Sequence, residues 1–165
     1  MKKTKFLVQA AAIGGIYAAL TLAFQPISFG HNIFQLRIAE ALTVLPYFTP
    51  AAIPGLFVGC IVANMIGGFG ILDIVFGSLA TLLAAILSFK LRRNKVLVPL
   101  PPVIFNTIIV GAYLYYILLG ISEMNIQSIG MIGVMGWVCL GEVLACYVLG
   151  YPLLRLLERY ERIFK

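Results

Sequence analysis

Charged residues are scarce in this chain. Of its 165 residues, 11% are charged and 62% are hydrophobic. Soluble domains carry about 25% charged residues, so this composition excludes an ordinary water-soluble fold and indicates an integral membrane protein. The sequence also lacks a linker rich in serine, glycine or charge. We therefore expect one membrane domain over residues 1–165.

Motifs of catalysis are absent as well. The sequence contains no GxxxxGK[ST] phosphate-binding loop, no HExxH and no GxSxG. It has one histidine, His31, and three cysteines that fall in apolar segments without a CxxC pair. Such cysteines behave as small buried hydrophobes. We therefore expect no enzyme activity, no cofactor and no metal, and any ATP hydrolysis would require another chain.

Acidic residues are half as frequent as basic ones, and the net charge is +6. Basic residues that flank apolar segments usually set membrane orientation, so we predict no nucleic-acid partner. Eleven of the twelve basic residues fall into three groups, which are Lys2, Lys3 and Lys5, then Lys90, Arg92, Arg93 and Lys95, then Arg155, Arg159, Arg162 and Lys165. Arg37 is the exception.

Six apolar segments are candidates for membrane-spanning helices, which need about 20 residues to cross the hydrocarbon. They run roughly over 5–24, 36–49, 51–68, 72–90, 98–119 and 129–154. The second is short, but with six spans all three basic groups lie on one side of the membrane, as the positive-inside rule requires. We therefore predict an all-α, six-transmembrane-helix bundle in the cell membrane with both termini cytoplasmic.

The N-terminal segment has an alternative interpretation as a cleaved signal peptide, because KKTK precedes an apolar run. That run is longer than the ~7–15 residues of a typical signal-peptide core, and no clear cleavage site follows it. We therefore treat it as a retained helix. The connections near 25–35, 67–73 and 120–128 are then expected to face outward.

Four ionisable residues lie inside the predicted spans, namely Arg37, Glu40, Asp73 and Glu142. Each costs roughly 2.5–3.5 kcal/mol to insert, so such residues indicate a lined cavity or an ion pair. Arg37 and Glu40 lie one helical turn apart and can pair with each other. Asp73 can instead cap the start of the fourth span, where a carboxylate suits the positive helix end.

Glu142 lies near the middle of the sixth span, and its own helix offers no basic residue within two turns. It therefore needs a partner or a ligand from elsewhere. Asn106 lies at similar depth in the fifth span, which favours a polar cavity. Trp137 is about 140° around the helix from Glu142. It lines that cavity only if nearby glycines loosen the helix, and an interfacial belt position is the alternative.

Small residues form two ladders along the first span. They are Ala10, Gly14 and Ala18, and Ala11, Gly15 and Ala19. Such a face lets another helix approach closely, since packing drives helix association in lipid. We assign a similar ladder in the third span to packing within the bundle. The first-span face either docks a partner protein or packs internally.

The stretch FQLRIAEALTVLP at 34–46 resembles the signature of the QueT family, the queuosine-precursor-specific S components of energy-coupling factor (ECF) transporters. The resemblance extends over essentially the whole chain, and AAAIGGIYAAL is similar to the small-residue face with which S components dock. It implies a membrane subunit that captures a substrate from outside. A transmembrane coupling protein (EcfT) and two ATPases of the EcfA type would supply the energy for transport.

The ligand implied by the resemblance is a 7-deazaguanine base such as queuine, preQ1 or preQ0. Its edge offers N–H and amine donors beside a carbonyl acceptor. A carboxylate can accept from both donors, and an amide or guanidinium can donate to the carbonyl. We expect Glu142 or Glu40 in the first role. The candidates for the second role are Asn106, Gln35 and Arg37.

Three further residues complete the expected substrate site. Trp137 or Phe69 could stack on the flat ring, and Asp73 could attract the amine of a precursor that carries one. Two alternatives stay open. One is an S component for another vitamin-like solute, since S components share a fold across substrates. The other is a small channel or structural subunit whose buried charges hold the bundle together.

Overall fold

The computed structural model describes residues 2–28, 35–121 and 126–164. Every regular element in these ranges is a helix, and no strand occurs in them. His31 and much of the predicted outward connections at 25–35 and 120–128 lie outside the described residues.

Eight α-helices follow in chain order. They are α1 Lys2–Ala23, α2 Gln25–Ser28, α3 Ala52–Gly67, α4 Ser78–Lys90, α5 Leu100–Phe105, α6 Gly111–Ile121, α7 Ile126–Val143 and α8 Tyr151–Glu158. Two 3₁₀ helices and three π-helical segments complete the described elements. They are the 3₁₀ helices Ile38–Tyr47 and Glu161–Ile163 and the π segments Asp73–Gly77, Asn106–Val110 and Leu144–Gly150.

Apolar helices lie at the positions of the six predicted spans, but they differ in length. In the described ranges, four are long enough to cross a membrane, namely Lys3–Ala23, Asp73–Lys90, Leu100–Gly120 and Ile129–Glu158. Ile38–Tyr47 and Ala52–Gly67 are apolar but shorter. The chain is therefore a helical, multi-pass membrane protein. Six crossings and cytoplasmic termini stay predictions.

The second predicted span is a 3₁₀ helix, Ile38–Tyr47, which we call the central helix. Pro46 inside it has no N–H for an α-helical bond, and the tighter pattern is visible where the Phe48 N–H donates to the Leu45 carbonyl at 2.9 Å. A 3₁₀ helix rises about 2.0 Å per residue, so this segment extends about 20 Å instead of the roughly 15 Å of an α-helix. All residues from Ala39 to Pro46 are buried. The central helix therefore lies inside the bundle.

Apolar packing holds the central helix on two sides. Leu42 and Leu45 join a buried core with Leu56 of α3. On another side, a Cβ added at Gly150 would lie 3.1 Å from the carbonyl oxygen of Ala41. The absence of a side chain at Gly150 therefore favours the close approach of the helix Ile129–Glu158 to the backbone of the central helix.

Helices α1 and α3 touch through their backbones. A Cβ added at Gly14 would lie 2.8 Å from the Gly55 carbonyl oxygen, and one added at Gly59 would lie 2.6 Å from the Gly14 carbonyl oxygen. Both distances are too short for a real side chain. The small residues of the third predicted span therefore pack within the bundle, as the sequence predicts.

The three basic groups meet at one end of the bundle, which we call the basic end. Lys95 forms an ion pair with Glu158 of α8 at 2.6 Å, and the hydrogen bond to that carboxylate raises the pKa of Lys95. The Phe164 carbonyl accepts from Gln9 of α1 at 3.4 Å, and its ring stacks on Phe48 at 4.9 Å between centroids. The segments that carry the basic groups are therefore neighbours in space.

Candidate functional site

Polar side chains from five segments meet in the interior of the bundle. We call this set the polar cluster and define it as Tyr17, Arg37, Glu40, Thr81, Asn106, Glu142 and Cys146. None of these residues is more than 4% exposed. Buried polar groups normally have hydrogen-bond partners, so the contacts of each oxygen and nitrogen show what the cluster can still bind.

Glu40 of the central helix is half satisfied. Its Oε1 accepts a hydrogen bond from the Tyr17 hydroxyl at 2.5 Å and another from the Thr81 hydroxyl at 3.4 Å. Its Oε2 is buried and has no hydrogen-bond partner among the described residues. Two helices therefore fix the carboxylate in place, and one of its oxygens keeps unused hydrogen-bonding capacity.

Glu142 of α7 shows the same asymmetry. The Cys146 thiol contacts Oε2 at 3.7 Å, whereas Oε1 is buried and has no hydrogen-bond partner among the described residues. The Asn106 amide is a neighbour of the Glu142 carboxyl group. Neither polar atom of that amide is in hydrogen-bonding geometry with a described residue. Each such buried group costs about 1–3 kcal/mol when nothing binds it.

Arg37 lies among the carboxylates. Its guanidinium interacts electrostatically with Glu40, with Glu142 and with Asp73. The local interaction with Glu40 that the sequence predicts is therefore one of three. Since Arg37 is 4% exposed, these charges act on one another in a medium that screens them weakly.

Asp73 has partners from two other helices. Its Oδ1 accepts from the Tyr113 hydroxyl at 2.7 Å, and its backbone carbonyl accepts from the Asn64 amide at 2.7 Å. We call these three residues the Asp73 group. The sequence favours Asp73 at the start of the fourth span, and the continuous helix there begins at Ile71, so Asp73 lies in its first turn, where a carboxylate suits the positive helix end. The carboxylate also faces a tyrosine of a neighbouring helix.

The Asp73 group and Asn106 lie at different depths in the bundle. Helical rise puts Asp73 about 26 Å from Lys90 and Tyr113 about 20 Å from Leu100, and both reference residues are near the basic end. Asn106 is only about 9 Å from Leu100 by the same measure. The Asp73 group is therefore farther from the basic end than Asn106 is.

Each of the three π segments begins at or close to a residue of the site. One begins at Asp73, one begins at Asn106, and one begins at Leu144, shortly after Glu142. π-Helical turns are rare and occur frequently at functional sites, because the extra residue changes the direction in which neighbouring side chains point. Apolar periodicity in the sequence contains no signal for them.

The extended segment before the central helix lies against α7 next to Glu142. A Cβ added at Gly141 would overlap the Gln35 carbonyl oxygen, so only glycine permits this approach. The structure therefore brings Gln35 and Arg37 to the same region as Glu142.

The two aromatic candidates, Trp137 and Phe69, lie outside the polar cluster. Trp137 is 45% exposed, and the helix break at Gly130 (φ 70°) precedes it, so regular helix separates Trp137 from the buried Glu142. The loosening that would bring both into one cavity is absent from the described helix between them. Phe69 is half-buried in the turn after α3, where its N–H donates to the Asn64 carbonyl at 3.3 Å, beside the Asp73 group.

Several residues of the site were not among those predicted, and they include Asn64, Tyr17 and Thr81. Asn64 is an amide inside an apolar span, which is the signal that identified Asn106 and could have identified Asn64. Tyr17 and Thr81 donate to Glu40, but hydroxyl residues are common in membrane helices. Their role could not be recognised without knowing which helices are neighbours.

A second feature lies on the outside of the bundle. An apolar groove of about 470 Å³ runs between α1 and α3, and we call it the α1–α3 groove. Gly15 lines it, and a Cβ added there would meet no described atom within 4 Å. Ala11 and Ala19 are exposed as well, whereas Gly14 and Ala18 are buried.

The two predicted docking ladders therefore differ. Gly14 and Ala18 of the first ladder are buried, and the backbone of Ala10 contacts Gly55, so this ladder packs within the bundle, although its three residues also line the groove. The second ladder, Ala11, Gly15 and Ala19, stays accessible. The physical reason is that α3 occupies only one side of the small-residue face.

Comparison with known proteins identifies the family of this chain. No curated protein and no solved structure matches it. A model described as QueT transporter matches residues 7–159, a range that includes the polar cluster, the Asp73 group and most of the α1–α3 groove. The match agrees with a membrane-embedded transporter and not with an enzyme. The chain belongs to the QueT transporter family.

Proposed function

We propose that this chain is the substrate-binding S component of an ATP-driven importer for a queuosine precursor. The observation that carries the proposal is the unused hydrogen-bonding capacity of buried groups in the polar cluster. Glu40 Oε2, Glu142 Oε1 and both polar atoms of Asn106 lack hydrogen-bond partners among the described residues. A polar ligand that fills these positions recovers their desolvation cost.

A 7-deazaguanine base matches these groups by chemistry. Its ring N–H and exocyclic amine are adjacent donors, and one carboxylate can accept from both. We assign this role to Glu142 and the second carboxylate role to Glu40. The Asn106 amide then donates to the ring carbonyl. Arg37 balances part of the negative charge, and Gln35 lies within the same region.

The α1–α3 groove is the proposed docking surface for the transmembrane coupling protein EcfT. Ala11 and Gly15 form its exposed wall, and Ala19 is exposed on the same helix, so a partner helix can approach closely. Two EcfA-type ATPases bound to the coupling protein would then hydrolyse ATP, since this sequence has no phosphate-binding loop.

The position of the charged residues favours a binding subunit over a channel. A channel formed by several copies would present polar residues on an outer face. Here Arg37, Glu40 and Glu142 are at most 4% exposed, inside one chain. An S component for another solute stays the main alternative, and ligand titration separates it from the proposal.

The direct test is titration of the purified chain with queuine, preQ1, preQ0, guanine and a panel of vitamins. We expect saturable binding of the deazaguanine bases and none of the vitamins. Binding of a vitamin alone would support the alternative solute. If the folded protein binds none of the compounds, the proposal is wrong.

The docking role requires a variant that fills the groove without disturbing the bundle. Gly15→Leu is suitable because a Cβ there meets no described atom within 4 Å. Gly136→Leu is the matched control, since Gly136 of α7 is also exposed and equally unobstructed. We expect Gly15→Leu to abolish uptake in cells that contain the coupling module while ligand affinity is retained. Normal uptake by Gly15→Leu would exclude the groove as the docking surface.

A further inference from the structure

We infer that the Asp73 group is a subsite for a protonated amine, and that it makes the chain select precursors carrying an amine over the cyano precursor. This inference rests on the proposed function, because it assigns a role to the substituent of the same base. It adds Asn64 and Tyr113 to the residues that determine specificity.

The first support is the surplus of hydrogen-bond acceptors around Arg37. Three carboxyl groups, Glu40, Asp73 and Glu142, lie near this one guanidinium. Glu40 Oε2 and Glu142 Oε1 are buried and have no hydrogen-bond partner among the described residues. An ammonium substituent, with three N–H donors, therefore suits this region better than a cyano group, which has none.

The second support is the geometry of the Asp73 group. Tyr113 donates to one oxygen of the Asp73 carboxylate, and a carboxylate can accept about four hydrogen bonds, so acceptor capacity remains. Asn64 is fully buried, and its Nδ2 is already committed to the Asp73 carbonyl. Its Oδ1 has no hydrogen-bond partner in the described part of the chain. The group therefore offers acceptors, which an ammonium group with three donors requires.

The third support is the position of the group relative to the base. The substituent of a 7-deazaguanine is attached to the five-membered ring, away from the edge that carries the ring N–H and the amine. With that edge on Glu142, the substituent extends away from the carboxylate. The Asp73 group lies farther from the basic end than Asn106 does, and Arg37 interacts with both sets of residues. The two sets adjoin at Gly77, whose carbonyl accepts from the Thr81 hydroxyl at 3.1 Å and whose added Cβ would lie 3.4 Å from the Tyr113 hydroxyl and 3.8 Å from Asp73 Oδ1. We therefore place the substituent of a base bound in the polar cluster at Asp73.

The test compares two ligands that share the ring and differ in charge, preQ1 with its aminomethyl group and preQ0 with its cyano group. We expect the unmodified chain to bind preQ1 about tenfold or more tightly than preQ0. Asp73→Asn keeps the shape and an acceptor for Tyr113. It should weaken preQ1 binding about ten- to a hundredfold and leave preQ0 binding within about twofold.

Glu158→Gln is the matched control, because Glu158 is a carboxylate at the basic end and pairs with Lys95 there. It should leave both affinities unchanged. Equal affinity of the unmodified chain for preQ1 and preQ0, or an equal loss of both in Asp73→Asn, would overturn the inference while leaving the proposed function intact. If Asp73→Asn does not fold, the ratio of the preQ1 and preQ0 affinities of the unmodified chain tests the inference by itself. Failure to bind either base would overturn the proposed function itself.

Discussion

The two faces of α1 differ in how closely other residues pack against them. On the inner face, Tyr17 donates to Glu40 at 2.5 Å, and Gly14 touches the backbone of α3. On the outer face, Ala11 and Gly15 are exposed along the α1–α3 groove. A Cβ added at Gly14 would overlap the backbone of α3, whereas a Cβ added at Gly15 would meet no described atom within 4 Å. Two ladders that look alike in sequence therefore serve an internal contact and an accessible surface.

The largest expected effect comes from filling the inner face. Gly14→Leu would place a side chain where a Cβ alone lies 2.8 Å from the Gly55 carbonyl oxygen. We expect a loss of about 3 kcal/mol or more in the free energy of unfolding, at the upper end of overpacking effects. Thermal unfolding in detergent measures it. Gly15→Leu, one residue away on the outer face, is the control, and equal stability of the two variants would contradict the assignment of the faces.

An intermediate effect is expected from the hydrogen bond on the inner face. Tyr17→Phe removes the donor to Glu40 and keeps the ring. A buried hydrogen bond to a charged group contributes about 1.5–3 kcal/mol, so we expect a comparable loss of stability. Tyr116→Phe, at a residue that is 66% exposed, should change nothing measurable. A Tyr17→Phe variant as stable as Tyr116→Phe would show that the bond contributes nothing.

The smallest effect is expected at Trp137. This residue is 45% exposed and lies on regular helix turned away from Glu142. We expect Trp137→Leu to change ligand affinity by no more than about twofold, as for most exposed positions. Calorimetric titration measures the change. A loss of tenfold or more would show that the ring stacks on the ligand.

Much of the architecture could be predicted from the sequence because lipid imposes simple rules. Long apolar runs predict the four longest helices, and the distribution of basic residues predicts the neighbouring basic segments at one end. The helix type of the second span could not be predicted, because Pro46 permits either a kinked α-helix or a 3₁₀ helix. Burial on all sides of the central helix depends on the packing of the other helices.

The site could be predicted only in part for a similar reason. A charge or amide in an apolar span is costly, and this rule identified Arg37, Glu40, Asn106 and Glu142, which the structure brings to one region. The rule says nothing about which face a helix presents after a π segment. It therefore could not show that Asp73 faces Tyr113 or that Trp137 and Glu142 lie on different sides of α7.

A ligand-binding role for Glu142 can be measured most directly by calorimetric titration of Glu142→Gln with preQ1, beside a thermal unfolding curve. Loss of a charged acceptor worth about 1.5–3 kcal/mol predicts an affinity about ten- to a hundredfold lower, with stability retained. Glu158→Gln, far from the polar cluster, should bind as the unmodified chain does. Unchanged affinity of Glu142→Gln together with lowered stability would contradict the binding role and make Glu142 a residue that only holds the bundle together.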